Sequence, residues 1–557
     1  MNEIIAEILG KNLNLKKEEI LSLLEIPKDS KLGDYALPCF TFAKTLKKNP
    51  FDIAKEFSSK IENLLEFEKV EAVQGYVNIF LNRAILAETL LKKIQQEKDS
   101  YGSAKIGKGK TVVIDMSSPN IAKPFGIHHL RSTIIGNSIA NIFSFLGFKV
   151  IKINYLGDFG TQFGKLIVAY KKFGDKKKLK DEPVKHLFEI YVKVNEIPEL
   201  EDEARAWFKK LEDGNKEAVK LWKLFYSLSI KEFNKIYSLL GIKFDEISGE
   251  SHYSKKADEV IKIMQKKNLL KKSDNALIVE LEKYSLPNVI IKKSDNTKPY
   301  ITRDIAAAID RYNRYKFEKM IYEVGSEQSL HFKQLFKILE LLGCPFSGRC
   351  IHVGHGLYLD KNGKRFSTRE GKTIFMEDVL NESIELAKSE IKKREKTIRK
   401  RDLEARARAI ALSAIIYGDL KNYRLNNMVF DIEKFLSFEG DTGPYLLYTY
   451  ARARNILRKS KSPIKKFRLG EINDLEKRLL VQMNLFSSIV KESCDALSPN
   501  LIANYAFQLS QIFNEFYHSN PVIGSDNESF RLTLVNSFSH VLKNALFLLG
   551  IPVIDKM

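Results

Sequence analysis

The stretch Ser117-Ser118-Pro119-Asn120-Ile121-Ala122-Lys123-Pro124-Phe125-Gly126-Ile127-His128-His129 gathers hydroxyls, an amide, a lysine and paired imidazoles into one short loop. Such a set supplies donors and positive charge, which suits an anion and above all a phosphate. The flanking pattern says how the loop is held. Upstream, Val112-Val113-Ile114 reads as a buried strand. Downstream, Leu130, Ile134, Ile135, Ile139, Ile142, Phe143 and Leu146 recur at helical spacing, Gly147 stands where a C-terminal cap belongs, and Val150 to Tyr155 starts a second strand. A strand, crossover helix and strand form a right-handed unit whose loop lies at the carboxyl edge of a parallel sheet. There the unpaired N–H groups of the helix N-terminus face a phosphate-bearing ligand.

Along the rest of the chain three regions separate. Residues 1–106 mix helical periodicity with a strand-like run from Val70 to Leu81 and end in a turn-rich linker around Tyr101-Gly102-Ser103 and Gly107-Lys108-Gly109. Residues 107–387 alternate strands and helices, with a helical insertion around 170–245; the Met320-Ile321-Tyr322-Glu323-Val324 strand then resumes the sheet. Residues 388–557 are helical almost throughout. The fold class expected is therefore multidomain α/β: a Rossmann-type parallel nucleotide-binding sheet, an N-terminal α+β domain and a C-terminal all-α bundle.

Composition narrows the partners. At 557 residues the chain exceeds a single core. Lys plus Arg exceed Asp plus Glu by 91 − 70 = 21, spread along the chain, a field that attracts polyanions such as nucleic acid. The four cysteines, Cys39, Cys344, Cys350 and Cys494, form no CxxC pair, which argues against a zinc ribbon or a disulfide framework and for a reducing compartment. Neither a leader peptide nor an uncharged bilayer-spanning run is evident, so a cytoplasmic protein without a membrane partner is expected.

Four segments then carry a resemblance. The run Ser118 to Thr133, Asn154-Tyr155-Leu156-Gly157-Asp158-Phe159-Gly160-Thr161-Gln162-Phe163-Gly164, Tyr300-Ile301-Thr302-Arg303-Asp304-Ile305-Ala306 and Phe438-Glu439-Gly440-Asp441-Thr442-Gly443-Pro444-Tyr445 together resemble arginyl-tRNA synthetases, class I aminoacyl-tRNA synthetases, in order and over nearly the whole length. The resemblance implies a His-x-Gly-His signature in the first loop. Here the aligned residues are Gly126-Ile127-His128-His129, so His129 is retained, Gly126 replaces the first histidine, and His128 stands where a glycine admits the adenine. The ring of His128 either turns away to stack or hydrogen-bond, or it impairs activity. A literal match, His352-Val353-Gly354-His355, reads instead as a structural strand.

The second signature, a Lys-Met-Ser-Lys loop, aligns with Lys364-Arg365-Phe366-Ser367-Thr368-Arg369-Glu370-Gly371-Lys372, where Thr368 replaces the last lysine. The resemblance implies that Lys123 supplies the missing cation and that Arg365, Ser367, Thr368, Arg369 and Lys372 face the triphosphate. A guanidinium is held best by carboxylates through paired, charge-assisted hydrogen bonds. The resemblance sets Asp115, Tyr300 and Asp304 around it, and Ser118, Asn120 and Gln328 toward the amino and carboxyl groups of arginine. Tyr300 and Asp304, four apart, share one helical face.

In the bundle, Tyr445, Tyr448 and Arg452 can form one stripe, while Tyr450 and Arg454 face elsewhere. The expectations are thus a monomeric arginine–tRNA ligase acting on L-arginine, ATP with Mg2+, and tRNA(Arg), without zinc or any other metal site, with His129, Lys123 and His128 as catalytic groups. The resemblance further implies that residues 1–106 contact the tRNA corner and that activation needs bound tRNA. A catalytically weakened tRNA-binding paralogue and a sister class I synthetase are the alternatives.

Overall fold

The computed structural model describes residues 2–27, 29–366, 375–460, 467 and 469–557. Near the N-terminus, β1 (Tyr35–Pro38), β2 (Phe67–Val73) and β3 (Tyr76–Leu81) form an antiparallel sheet in the order β1-β3-β2, with helices Pro50–Ile61 and Arg83–Glu97 among the elements around it. The Val70 to Leu81 run is therefore a hairpin and not one strand. It turns at Gln74 and Gly75, whose φ angles of 49° and 80° are the left-handed pair that a two-residue hairpin needs. The turn-rich stretch expected as a linker is anchored: Tyr101 is buried, and its hydroxyl donates to the Met483 carbonyl of the bundle at 3.2 Å.

The central sheet is parallel, with β4 (Thr111–Asp115), β5 (Lys149–Leu156) and β6 (Glu246–Gly249) on one side. A small antiparallel meander follows, β7 (Lys271–Ser273), β8 (Ala276–Val279) and β9 (Val289–Lys292). The chain then re-enters the large sheet beside β4 as β10 (Lys319–Gly325) and β11 (Cys350–His355), giving the order β11-β10-β4-β5-β6. The uninterrupted apolar run of β4 suits a strand covered on both faces.

Helix Ile127–Phe145 links β4 to β5 and is buried almost all round, polar Arg131, Ser132, Thr133, Asn137 and Ser138 included. It passes so close to the end of β4 that a Cβ on Gly136 would lie 2.5 Å from the Met116 side chain. Its other side meets the bundle, where Ser138 Oγ donates to the Leu548 carbonyl at 2.9 Å.

The insertion is helical, with helices Lys176–Asp181, Pro183–Asn195, Glu201–Glu212 and Lys216–Leu240. Helix Met376–Arg394 runs unbroken across position 387, and the turn that separates it from helix Lys400–Leu420 follows at 395–399. No glycine or proline marks that turn. Helices Gly443–Lys459, Asp474–Ala496, Asn500–Ser519 and Glu528–Leu549 complete the bundle. The last of these is long and apolar enough to cross a membrane, but 78% of its apolar window is buried, as in a core helix.

Candidate active site

At the carboxyl edge of the sheet, the loop after β4 runs in strained backbone. Ser117, Ser118 and Ala122 all have left-handed φ angles, 74°, 46° and 60°. Each costs a non-glycine residue roughly 1–2 kcal/mol. Hydrogen bonds hold them there. Ser117 N–H donates to Ser132 Oγ at 2.9 Å, Ser118 N–H to Asn154 Oδ1 at 3.2 Å and Ala122 N–H to Ser229 Oγ at 2.8 Å. Tyr237 closes the network, its hydroxyl 2.8 Å from Ser117 Oγ and accepting from Asn154 Nδ2 at 2.9 Å. Ser229 and Tyr237 belong to insertion helix Lys216–Leu240, so the insertion shapes this loop directly.

At the helix start, Gly126 N–H donates to His129 Nδ1 at 3.1 Å. This fixes the tautomer: Nδ1 accepts, and Nε2 carries the proton as a free donor. Burial pushes the pKa of His129 well below the ordinary imidazole value, helped by His128 and Lys123, so the ring stays neutral. His128 folds back over Gly126. A Cβ at position 126 would lie 2.7 Å from His128 Cε1, and the His128 and His129 ring centres are 3.9 Å apart. The two rings touch at a tilt of 48°, and that of His128 does not project freely. Although its outer edge is exposed, lost hydration together with the Lys123 and His355 charges pulls its pKa down to about 4. Lys123 Nζ lies 5.5 Å from the centre of the Tyr191 ring in the insertion.

Met376 N–H donates to the Phe125 carbonyl at 3.0 Å, so the first loop is tied to the segment just after the second signature. Of that signature, Arg365 is described: its guanidinium pairs with Glu327 at 2.6 Å in an exposed position. Such a pair contributes about 0–1 kcal/mol and is readily exchanged for a phosphate. Ser367, Thr368, Arg369 and Lys372 lie outside the described residues. The turn Lys361 to Lys364 is built as hairpin chemistry suggests, with Asp360 Oδ1 accepting from Asn362 N–H and Lys364 N–H, each at 2.8 Å.

Beside the loop a cavity of about 280 Å3 brings together Asp115, Ser118, Asn120, Tyr300, Asp304 and Gln328. They come from β4 and its loop, from helix Tyr300–Tyr315 and from the turn after β10. Asp115 lines this cavity with Tyr300 and Asp304, and its carboxylate is engaged from within the chain. Its carboxylate already binds the chain's own Arg311 at 2.8 Å and accepts from Ser118 Oγ at 3.0 Å. Arg311 is 1% exposed and lies between the Tyr155 and Tyr322 rings, 4.9 and 5.9 Å from their centres. The Asp115 charge is thus balanced inside the protein.

Two other carboxylates face the same space. Asp304 Oδ2 is 2.8 Å from His331 Nε2. Glu250, at the start of helix Glu250–Lys266, also lines the cavity and accepts from Arg303 Nη2 at 2.5 Å. Burial pushes the Glu250 carboxyl up to about 7 against the lowering effect of Arg303. Sequence reasoning missed Glu250, Arg311, Tyr155 and His331; a carboxylate directly after β6, at the carboxyl edge, was the one available signal for Glu250. His355, read as part of a structural strand, does end β11, but its Nδ1 lies 2.8 Å from Glu323 Oε1, and both side chains are buried.

A phosphate-facing helix start beside an acidic, aromatic cavity at the reversal point of a parallel sheet fits enzymes that join a nucleotide to a cationic small molecule. The comparisons agree with that geometry. Residues 90–432 match the family model described as tRNA synthetases class I (R), catalytic domain, and residues 446–557 match the DALR anticodon binding domain. The fold is thus that of a class I aminoacyl-tRNA synthetase. Residues 1–81 match the arginyl tRNA synthetase N-terminal domain. The chain belongs to the arginyl-tRNA synthetase family. It is 44% identical to an arginine–tRNA ligase of Halothermothrix orenii over 100% of this chain and 99% of the other, and 43% identical to one of Clostridioides difficile over 98% and 97%. The arginyl-tRNA synthetase structure from Plasmodium falciparum superposes with a TM-score of 0.83 at 26% identity, covering 100% of this chain and 99% of that one. The Thermus thermophilus structure, at 23% identity and a TM-score of 0.84 over the full length of both chains, shares the fold.

Proposed function

We infer that this chain is an arginine–tRNA ligase: it joins L-arginine to ATP as arginyl-adenylate, releasing pyrophosphate, and passes the arginyl group to the 3′ end of tRNA(Arg). The observation that carries this reading is the shared cavity of Glu250, Tyr300 and Asp304 beside the helix start at His129. Glu250 and Asp304 offer acceptors for a planar, permanently charged guanidinium, a fork that lysine cannot fill. Asp115 acts one step removed by fixing Arg311 and Ser118, while Ser118, Asn120 and Gln328 face the amino and carboxyl groups of the amino acid.

In the first step a carboxylate oxygen of arginine attacks the α-phosphorus of ATP, and the bond to pyrophosphate breaks. Negative charge on the phosphoryl oxygens is met by the neutral His129 Nε2–H donor and the amides of the helix's first turn. His128 adds a second neutral ring. Lys123 supplies positive charge to the departing pyrophosphate, joined by Arg365, Ser367, Thr368 and Arg369. Mg2+ enters with ATP as its counter-ion; among the described residues, no grouping of three or more His, Cys, Asp or Glu side chains is placed to hold a metal. In the second step a ribose hydroxyl of the tRNA attacks the carbonyl carbon of the adenylate, and AMP leaves.

The net charge of +21 supports fast, salt-sensitive encounter with tRNA. In the bundle, exposed Tyr448 and Tyr517 flank Arg452, 4.8 and 5.4 Å from their ring centres, a surface suited to stacking unpaired bases. The chain acts as a cytoplasmic monomer. Pyrophosphate exchange with each amino acid, with and without tRNA, tests the assignment: arginine alone supports exchange, and only with tRNA bound. Exchange with another amino acid, or none under any condition, overturns it.

A further inference from the structure

The strand order β11-β10-β4-β5-β6 means that the chain reverses direction between β4 and β10, and a ligand at that crevice has two ends. The acidic cavity takes one end, lined by residues of β4, β5 and helix Tyr300–Tyr315 and reaching across to Tyr322 and Val324 of β10. The other lies over the carboxyl ends of β10 and β11, where Gly325 and His355 are register partners. His355 Nδ1 sits 2.8 Å from Glu323 Oε1, with Glu323 fully buried and His355 8% exposed. With the carboxylate accepting from Nδ1–H, the Nε2 atom is left to face the edge. It lies 3.7 Å from where a Cβ on Gly325 would be, so no side chain at 325 covers it.

Two further observations tie this pair to the phosphate loop. Ser132 Oγ, which accepts from Ser117 N–H, donates to the Glu323 carbonyl at 2.8 Å, and the charge of His355 acts on His128. Glu323 Oε2 has no hydrogen-bond partner. A buried carboxylate–imidazole pair left incompletely bonded is a poor stabilising device, since two apolar side chains of similar size serve better. We propose that Glu323 and His355 form a nucleoside-positioning pair: His355 Nε2 hydrogen-bonds the nucleoside half of ATP, and Glu323 is the positioning residue that fixes the ring.

This rests on the arginine–tRNA ligase reading, and the test separates the two. The full-length protein is assayed by tRNA-dependent pyrophosphate exchange as His355→Leu, His355→Gln, Glu323→Leu and Glu323→Gln, with melting temperatures measured alongside. His355→Leu and Glu323→Leu raise KM for ATP about tenfold, the effect of one lost hydrogen bond, while KM for arginine stays within about twofold; each strands a buried partner and lowers melting, whereas the double variant His355→Leu with Glu323→Leu recovers the melting temperature and keeps the ATP penalty. The two amide variants retain most of the ATP affinity, because Gln can still donate from position 355 or accept at 323. Repeating the measurement with 2′-deoxy-ATP identifies the contact: a His355→Leu penalty that disappears assigns it to the ribose hydroxyl, and one that persists assigns it to the base. Unchanged KM for ATP, equal losses for ATP and arginine, or an ATP penalty that disappears in the double variant as its melting temperature recovers overturn the proposal. If the unaltered protein fails to exchange with arginine, the functional reading fails, and calorimetric ATP binding by the same variants still tests the pair.

Discussion

Ser229→Ala isolates the part played by the insertion in shaping the phosphate loop. Ser229 is fully buried, and its Oγ is the acceptor for Ala122 N–H at 2.8 Å. Removing it leaves a buried N–H without an acceptor, a cost of about 1–3 kcal/mol. It does so at a residue whose φ of 60° is already unfavourable for alanine. If the loop relaxes to escape that cost, its competent population falls by roughly 5- to 150-fold, since each 1.4 kcal/mol is a factor of ten. Exchange kinetics at varied ATP then show kcat/KM for ATP lowered at least about fivefold. Adding Ala122→Gly restores part of the loss, as glycine adopts positive φ without steric cost. Wild-type ATP kinetics in Ser229→Ala, or no recovery on adding Ala122→Gly, would refute the idea that the insertion pins the loop.

Other perturbations follow from the same geometry. Glu250, with its carboxyl raised to about 7, is protonated below that pH and cannot hold a guanidinium. KM for arginine therefore rises as pH falls below 7, by up to about tenfold per unit, and Glu250→Gln gives a weak but pH-independent KM. Because the His128 ring fills the space beside Gly126, His128→Gly and Gly126→His each lower exchange, by an empty slot and by a clash, whereas the double exchange recovers to within about threefold of the original. A wild-type rate in His128→Gly would remove that ring from the mechanism. Arg311→Met strands the buried Asp115 carboxylate and is expected to lower stability by about 3–5 kcal/mol, while Arg311→Met with Asp115→Asn recovers most of it, as read by denaturant titration. Tyr448→Ala raises KM for tRNA several-fold without altering KM for arginine or ATP.

The elements around the site were legible because their signals are local. Val112-Val113-Ile114 is a continuous apolar run, helix Ile127–Phe145 has its cap glycine at 147, and Tyr300 and Asp304 share a helical face by spacing alone. What stayed hidden depends on residues distant in the chain. Asp115 and Arg311 meet across 196 positions, and only the fold reveals that this carboxylate is already neutralised. Glu250 gains its character from burial beside Arg303, and Ser229 looks like any small residue on an amphipathic helix until Ala122 N–H is found against it. The His352 to His355 string was read correctly as a strand, but its last residue lies where strand ends become ligand sites, a property of sheet order and not of local pattern.

The most direct measurement is a crystal structure with arginine and a non-hydrolysable ATP analogue bound together. The account predicts the guanidinium within hydrogen-bond distance of Glu250 and Asp304, phosphates against Lys123 and the helix start at His129, and the nucleoside over the ends of β10 and β11. A guanidinium lodged away from both carboxylates, or a triphosphate that does not approach His129, would contradict it.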